Sequence, residues 1–450
     1  MQAKSIIQDS GSANPELANA VVYALEFAKR MGASGAVAGV SRTSGYDLTV
    51  RKGELETIEH QNGGGLGITV FMGLRKGSSS TSDFDRLAIE ETVRAATSIA
   101  KYTAEDSCNG LPPKDRLVNE TEDLELDLPW QIDRDQALEI ALSCEEAALS
   151  SDSRIVNSEG ASIGTSVQDS AFGNSDGLLV SGRKTRHSIA CSVIGQTESG
   201  MQTDYWFSAS RDPGALDSPQ SIGTMAARRT LRKLDARKIK TCSVPVLFEA
   251  PTAGSLLKNF VGAISGGALY RKASFLLDSL GQQVFPENTR IHEQPHLKRG
   301  IGSAVCDDEG VATETCDIVT DGALQKYLLS SYSARKLGLE TTGNAGGTFN
   351  LTIDPGNRDF DEMVKLMNKG LLVTQTMGFG INQVTGDYSQ GASGFWVENG
   401  EIQFPVEEVT LAGNLRDMFR SLVEVGNDVD YRTGVRTGSI LLSSMTVAGE

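Results

Sequence analysis

The sequence predicts an α+β fold: an N-terminal α/β region of two small subdomains with antiparallel sheets, then a β-rich C-terminal domain carrying one apolar-faced helix. Three observations predict it. Helical and strand periodicities alternate through the first half of the chain. A connection at residues 102–129, with Pro112-Pro113 and an acidic run at 120–127, separates two such segments. From Ser243 onward glycine and β-branched residues dominate. The expected domains are residues 1–115, 125–240 and 241–450, because 450 residues are too many for one ordinary core.

Asn14-Pro15 supplies an N-cap and a first-turn proline for a helix striped by Leu17, Val21, Ala24, Leu25 and Ala28, and Gly32 is its natural stop. A strand meander follows at 34–42, 46–51, 54–60 and 66–74, with turns expected at Ser44-Gly45, Lys52-Gly53 and Asn62-Gly63-Gly64-Gly65. An amphipathic helix over 84–101, capped by Ser82 or Asp83, completes an α-β-β-β-β-α unit. Asp133 and Gln136 form a capping box for a helix through Leu149. Strands are expected near Ile155 and at 162–169, 178–185 and 187–197, then a basic helix over 222–234. Further strands are read at 304–306, 316–319, 324–331, 371–377, 394–398, 401–404, 407–412 and 439–447, and one short helix over 361–369.

Just past the midpoint, a buried strand at 244–248 leads into a helix on which Leu256, Leu257, Phe260, Val261 and Ile264 share a face. Its other side carries Lys258 and Asn259. Gly262, inside the helix, costs roughly 1 kcal/mol against alanine and so asks for a packing or functional reason.

Composition narrows the function. The net charge of −16 argues against a nucleic-acid partner, whose phosphates need Lys and Arg. The basic runs at 228–233 and 237–240 read as a solvated helix face. No run of about 18 apolar residues spans a membrane, and the first residues form no secretory signal. Six dispersed cysteines without C-x-x-C spacing indicate a reduced, cytoplasmic setting.

Motifs are few. The cluster Gly63-Gly64-Gly65-Leu66-Gly67 leads into a strand rather than a helix, so it is no phosphate loop. His292-Glu293-Gln294-Pro295-His296 spells H-E-x-x-H, but Pro295 breaks the helix that would put both imidazoles on one face. A polar loop with two exposed histidines is the expectation there. His60 and His187 stand alone at strand ends and read as structural or exposed; Asp307-Asp308-Glu309-Gly310 reads as a hairpin loop. The polar stretches 342–348 and 386–394 are either plain turns or places where a peptide strand approaches closely. Within them Asn344, Gly346, Gly347, Asp387, Tyr388 and Ser389 are the candidate peptide contacts.

Several stretches carry a family resemblance: Ser330-Ser331-Tyr332-Ser333-Ala334-Arg335-Lys336-Leu337-Gly338-Leu339, Gly343-Asn344-Ala345-Gly346-Gly347, residues 386–400 and Leu411-Ala412-Gly413-Asn414-Leu415. They resemble the TldD/PmbA family, most nearly its PmbA (TldE) branch. Residues 65–70, 172–175, Tyr270-Arg271-Lys272 and 275–281 extend the resemblance over essentially the whole chain.

The resemblance implies a cytoplasmic two-subunit peptidase acting on unfolded or small peptides and maturing peptide antibiotics. In that family the TldD-type subunit holds zinc through H-E-x-x-x-H on a helix and a C-terminal cysteine. Laid on this chain, the motif's histidine, glutamate and second histidine fall on Lys258, Asn259 and Ala263, and no cysteine follows Cys316. An ammonium repels the cation and alanine has no donor atom. The resemblance therefore implies a non-catalytic subunit without a cofactor of its own, with zinc in a TldD-like partner and an extended peptide as substrate. It leaves open a homodimer when the partner is absent. Two other readings stay open, a self-sufficient metallopeptidase built on His292 and His296 and a non-enzymatic modulator of DNA gyrase.

Overall fold

A computed structural model of the protein describes residues 4–7, 14–120 and 122–450. Strand β1 (Lys4–Ile7) and helix α1 (Pro15–Arg30) precede β2 (Gly35–Arg51), β3 (Glu54–Met72), β4 (Arg75–Thr81) and α2 (Arg86–Tyr102). After the connection come α3 (Arg134–Leu149), β5 (Ile155–Asn174), β6 (Leu178–Thr197), β7 (Gly200–Ser210) and α4 (Pro219–Arg232). The class is mixed α+β with antiparallel sheets and a β-rich C-terminal region, as the sequence predicts.

Helix ends follow the capping chemistry. Asn14 Oδ1 accepts from the Glu16 amide, and Gly32 stops α1 at φ +86°. Asp133 and Gln136 form the expected reciprocal box. Helix α2 starts later than expected, after Asp85, because Asp83 Oδ1 is already bonded to the Asp85 amide.

The strands differ more. β2 pairs with β3 and with β5 along nearly its whole length, and β5 pairs with β6, so both N-terminal segments share one seven-stranded sheet in the order β1-β6-β5-β2-β3-β4, with β7 on β6. The turns expected at Ser44-Gly45 and 62–65 are absent; those residues run straight through β2 and β3. Glycine serves close approach there instead. A Cβ on Gly45 would lie 2.1 Å from the Thr165 carbonyl oxygen, and one on Gly64 would lie 2.7 Å from that of Ser41.

Each end of these long strands has its own core. Helices α1 and α2 cover Ala36, Ala38, Val40, Leu66, Ile68 and Val70. Helices α3 and α4 cover Leu48, Val50, Ala161, Ile163, Ile189 and Val193. His187 is fully buried beside the second core. Its Nε2 lies 2.9 Å from the Leu128 carbonyl and must donate, so Nδ1 accepts from the Thr165 hydroxyl at 2.9 Å. The neutral ring is therefore structural, and burial lowers its pKa.

The C-terminal region contains β8 (Cys242–Phe248), α5 (Ala250–Ile264), α6 (Gly266–Tyr270), β9 (Ile291–Glu293), β10 (Cys316–Thr320), β11 (Ala323–Leu324) and α7 (Ser331–Leu337). It continues with β12 (Leu351–Ile353), α8 (Phe360–Met367), β13 (Gly370–Met377), β14 (Asp387–Glu398), β15 (Glu401–Asn414) and α9 (Leu415–Arg420). Strands β16 (Leu422–Val425), β17 (Val435–Arg436) and β18 (Ile440–Ala448) complete it. β8, β13, β14, β15 and β18 close into a ring, because β15 pairs with β18 and β18 with β8. A second sheet runs β11-β10-β9-β12-β17. The strand expected at 304–306 reduces to a single bridge, Cys306 to Ala312, and those expected at 401–404 and 407–412 are one strand, β15.

Two tests follow from the packing. Gly45→Ala should cost roughly 1–3 kcal/mol through overpacking, whereas Gly63→Ala, with open space around the added carbon, should be near neutral; urea unfolding monitored by circular dichroism measures both. His187 titrates below its ordinary 6.5 when folded, so its contribution is complete above that pH and is lost as pH falls. The loss of stability between pH 7 and pH 5 should be shallower in His187→Gln than in the parent.

Candidate functional site

A single residue, Glu249, separates the end of β8 from the start of helix α5. Glu249 donates its amide to the Val373 carbonyl at 2.9 Å, and the Ala250 amide bonds Ser439 Oγ at 3.1 Å. One face is anchored by Leu256, Leu257, Phe260 and Ile264, all buried. Phe260 meets Phe285 edge-on at 5.1 Å and Phe419 at 5.8 Å. Full burial of each such side chain is worth about 1.5–3 kcal/mol, so the helix is firmly seated.

The three positions that match the zinc motif point to different surroundings. Lys258 is exposed and lines a cleft. Asn259 is occupied: its amide donates to the Ser255 carbonyl at 2.9 Å and its oxygen accepts from Gln383 Nε2 at 3.2 Å. Ala263 is fully buried in the core. A Cβ on Gly262 would make only ordinary contact with the Gln383 side chain, 3.4 Å from its amide nitrogen, so packing does not demand glycine there. These residues do not fit a zinc ion: one is a cation, one an engaged carboxamide, one a methyl group. Among the described residues no group of three or more His, Cys, Asp or Glu side chains could hold a metal.

The cleft, of about 310 Å³, lies between β7, the first turns of α5 and the end of β13. A neighbouring compartment of about 630 Å³ shares Trp206, Ala250, Pro251, Asp430 and Arg432 with it. Arg432 forms a forked pair with Asp430, both bonds at 2.8 Å, and its guanidinium stacks 3.9 Å from the Trp206 ring centre. On the N-terminal side, Asp204 is held by Lys233 at 3.0 Å and Arg229 at 3.3 Å. Glu249 is held by Arg229 and Arg232, each at 2.9 Å. Burial lowers the Lys233 pKa, with Asp204 opposing it.

One strand edge faces this cleft. β13 pairs with β8 only from Leu371 to Val373, where β8 gives way to α5. Beyond that, Gln375, Thr376 and Met377 pair with β14 on their other side. Thr252 Oγ1 donates to the Thr374 carbonyl at 3.0 Å.

Other expectations for the site need correction. The basic run 228–233 is not wholly a solvated face, since Arg229 and Lys233 are buried and paired as above, whereas Arg237, Lys238 and Lys240 of the second run are exposed as expected. The run itself was visible, but its acidic partners, Asp204 and Glu249, are distant in sequence and carry no local motif. His292 is buried rather than exposed; it lies in β9, with Nδ1 3.2 Å from Asp354 Oδ1. Neighbouring Glu293 is also buried, accepting from Asn344 Nδ2 at 2.9 Å and the Phe349 amide at 2.8 Å, and burial pushes its carboxyl up. His296 is exposed in the turn beyond, bonding Thr313 Oγ1 at 3.1 Å. The strand breaks the H-E-x-x-H geometry even before the proline does.

None of the six candidate peptide contacts lines the cleft. Asn344 is buried and ties Glu293 to the Gly347 carbonyl, in a turn where Gly346 and Gly347 adopt φ +96° and +137°. Asp387, Tyr388 and Ser389 lie in β14 rather than in a loop, with Tyr388 buried.

Comparison with known proteins places this architecture. Three domain models of one family match: PmbA/TldA metallopeptidase domain 1 over residues 36–100, its central domain over 127–234 and its C-terminal domain over 241–449. The chain is 46% identical over 448 residues to the metalloprotease PmbA of Escherichia coli O157:H7, covering 100% of this chain and 99% of the relative. It is 47% identical over 435 residues to the PmbA homologue of Haemophilus influenzae, covering 96% of each. A Bacteroides thetaiotaomicron crystal structure, described as a candidate modulator of DNA gyrase, superposes with a TM-score of 0.91 at 28% identity, covering 96% of this chain and 98% of that one. TldE of Thermococcus kodakarensis shares the fold, with a TM-score of 0.83 at 21% identity over 96% and 100% of the two chains. The chain belongs to the PmbA/TldD metallopeptidase family.

Proposed function

We propose that this chain is the non-catalytic subunit of a heteromeric zinc peptidase in the cytoplasm. It pairs with a TldD-like subunit that carries the zinc, and together they enclose unfolded or small peptides, including precursors of peptide antibiotics. The observation that carries this reading is the occupancy of α5, where Lys258, Asn259 and Ala263 stand at the motif positions without a ligand set. The helix is nevertheless seated through buried Leu256, Leu257, Phe260 and Ile264, which suits a structural counterpart of a catalytic subunit. The free end of β13 beside it supports a peptide-handling role, because an extended chain can add to an open strand edge through main-chain bonds.

Mixing tests the assignment. The purified chain alone should cleave no unstructured peptide, and adding a TldD-type subunit should produce cleavage that neither protein shows separately. A TldD-type subunit that is fully active without this chain would overturn the role. Recovery of gyrase subunits in place of a TldD-type protein from an affinity pull-down would favour the gyrase description instead.

A further inference from the structure

We infer that the cleft beside α5 is a subsite for the C-terminal carboxylate of a short peptide, with Lys258 as its cation. The inference rests on the peptide-handling reading above and specifies which end of the peptide enters.

Among the described residues five charged side chains line this compartment: Asp204, Arg229, Lys258, Asp430 and Arg432. Four are already paired, Asp204 with Arg229 and Asp430 with Arg432. Among the described residues Lys258 is the lining cation that forms no ion pair. Two hydroxyls in the same wall also lack partners. Ser255 Oγ and Thr374 Oγ1 are buried without a hydrogen bond, although a buried polar atom left unpaired costs about 1–3 kcal/mol. Ser255 and Lys258 stand three apart on α5 and so share a face. Thr374 is held beside that face by the bond from Thr252 to its carbonyl.

Two hydroxyl donors and one ammonium make an acceptor-seeking site. A single unbalanced positive charge suits a carboxylate monoanion. A phosphate dianion would leave surplus negative charge against Asp204 and Asp430 in the same wall. The volume of about 310 Å³ is at the lower end for a small-ligand pocket and admits the end of a chain rather than a folded segment. Among the described residues the edge of β13 at Gln375, Thr376 and Met377 has no strand partner on the α5 side, and Gln375 and Thr376 line the cleft, so the residues preceding the carboxylate can lie along it. Lys258, at the position matched by resemblance to the motif's first histidine, thus supplies a charge for holding the peptide end.

The test uses the purified full chain and two probes, N-terminally fluorescein-labelled hexaalanine with a free carboxylate and the same peptide as its C-terminal amide. Fluorescence anisotropy should show the free acid binding at least about tenfold more tightly than the amide, the difference expected of one charge-assisted contact. Lys258→Gln should abolish that difference and Lys258→Arg should keep most of it. Equal binding of acid and amide by the parent would overturn the inference, as would a difference that persists in Lys258→Gln. Association with a TldD-type subunit, measured in parallel for parent and variants, separates failure of this subsite from failure of the subunit assignment.

Discussion

The carboxylate of Glu249 is the contact on which the geometry of the cleft depends. It stands at the junction where β8 ends and α5 begins, with its own amide bonded to β13. Its two oxygens are held by Arg229 and Arg232 near the C-terminal end of α4, so one side chain joins the N-terminal body, the closed strand ring and α5. Removing one partner of such a buried pair strands a charge and typically costs about 3–5 kcal/mol. Asp204 and Lys233 extend the cluster, and Lys233 reaches Gln375 Oε1 on β13 at 3.1 Å. One ionic network thereby ties the start of α5 to α4, β7 and β13.

That network and the apolar face of α5 together seat the helix. Its inner face is paid for by Phe260 against Phe285 and Phe419, and its start is locked by Glu249. Lys258 lines the cleft and Asn259 is tied to Gln383.

Local chemistry was legible in the sequence, and long-range pairing was not. Asn14, Asp133 and Gly32 mark helix ends because a cap acts on its nearest backbone groups. The apolar stripe of α5 was readable for the same reason. Gly45 and Gly64 misled because glycine serves both tight turns and close strand approach, and only the facing strands decide which. Arg229 and Lys233 looked solvated because their partners lie elsewhere in the chain. His292 looked exposed because nothing local showed that its segment would be the central strand of a sheet, between β10 and β12. The cleft, assembled from β7, α5, β13 and the stretch around Arg432, had no sequence signature.

Helix α5 is seated by its buried apolar face and carries lysine, asparagine and alanine at the positions matched to the zinc motif. Elemental analysis of the purified chain, expressed with zinc available and freed of loosely bound metal, tests this most directly. The account predicts far less than one zinc per chain. Zinc near one per chain, lost on His292→Ala or His296→Ala, would contradict it.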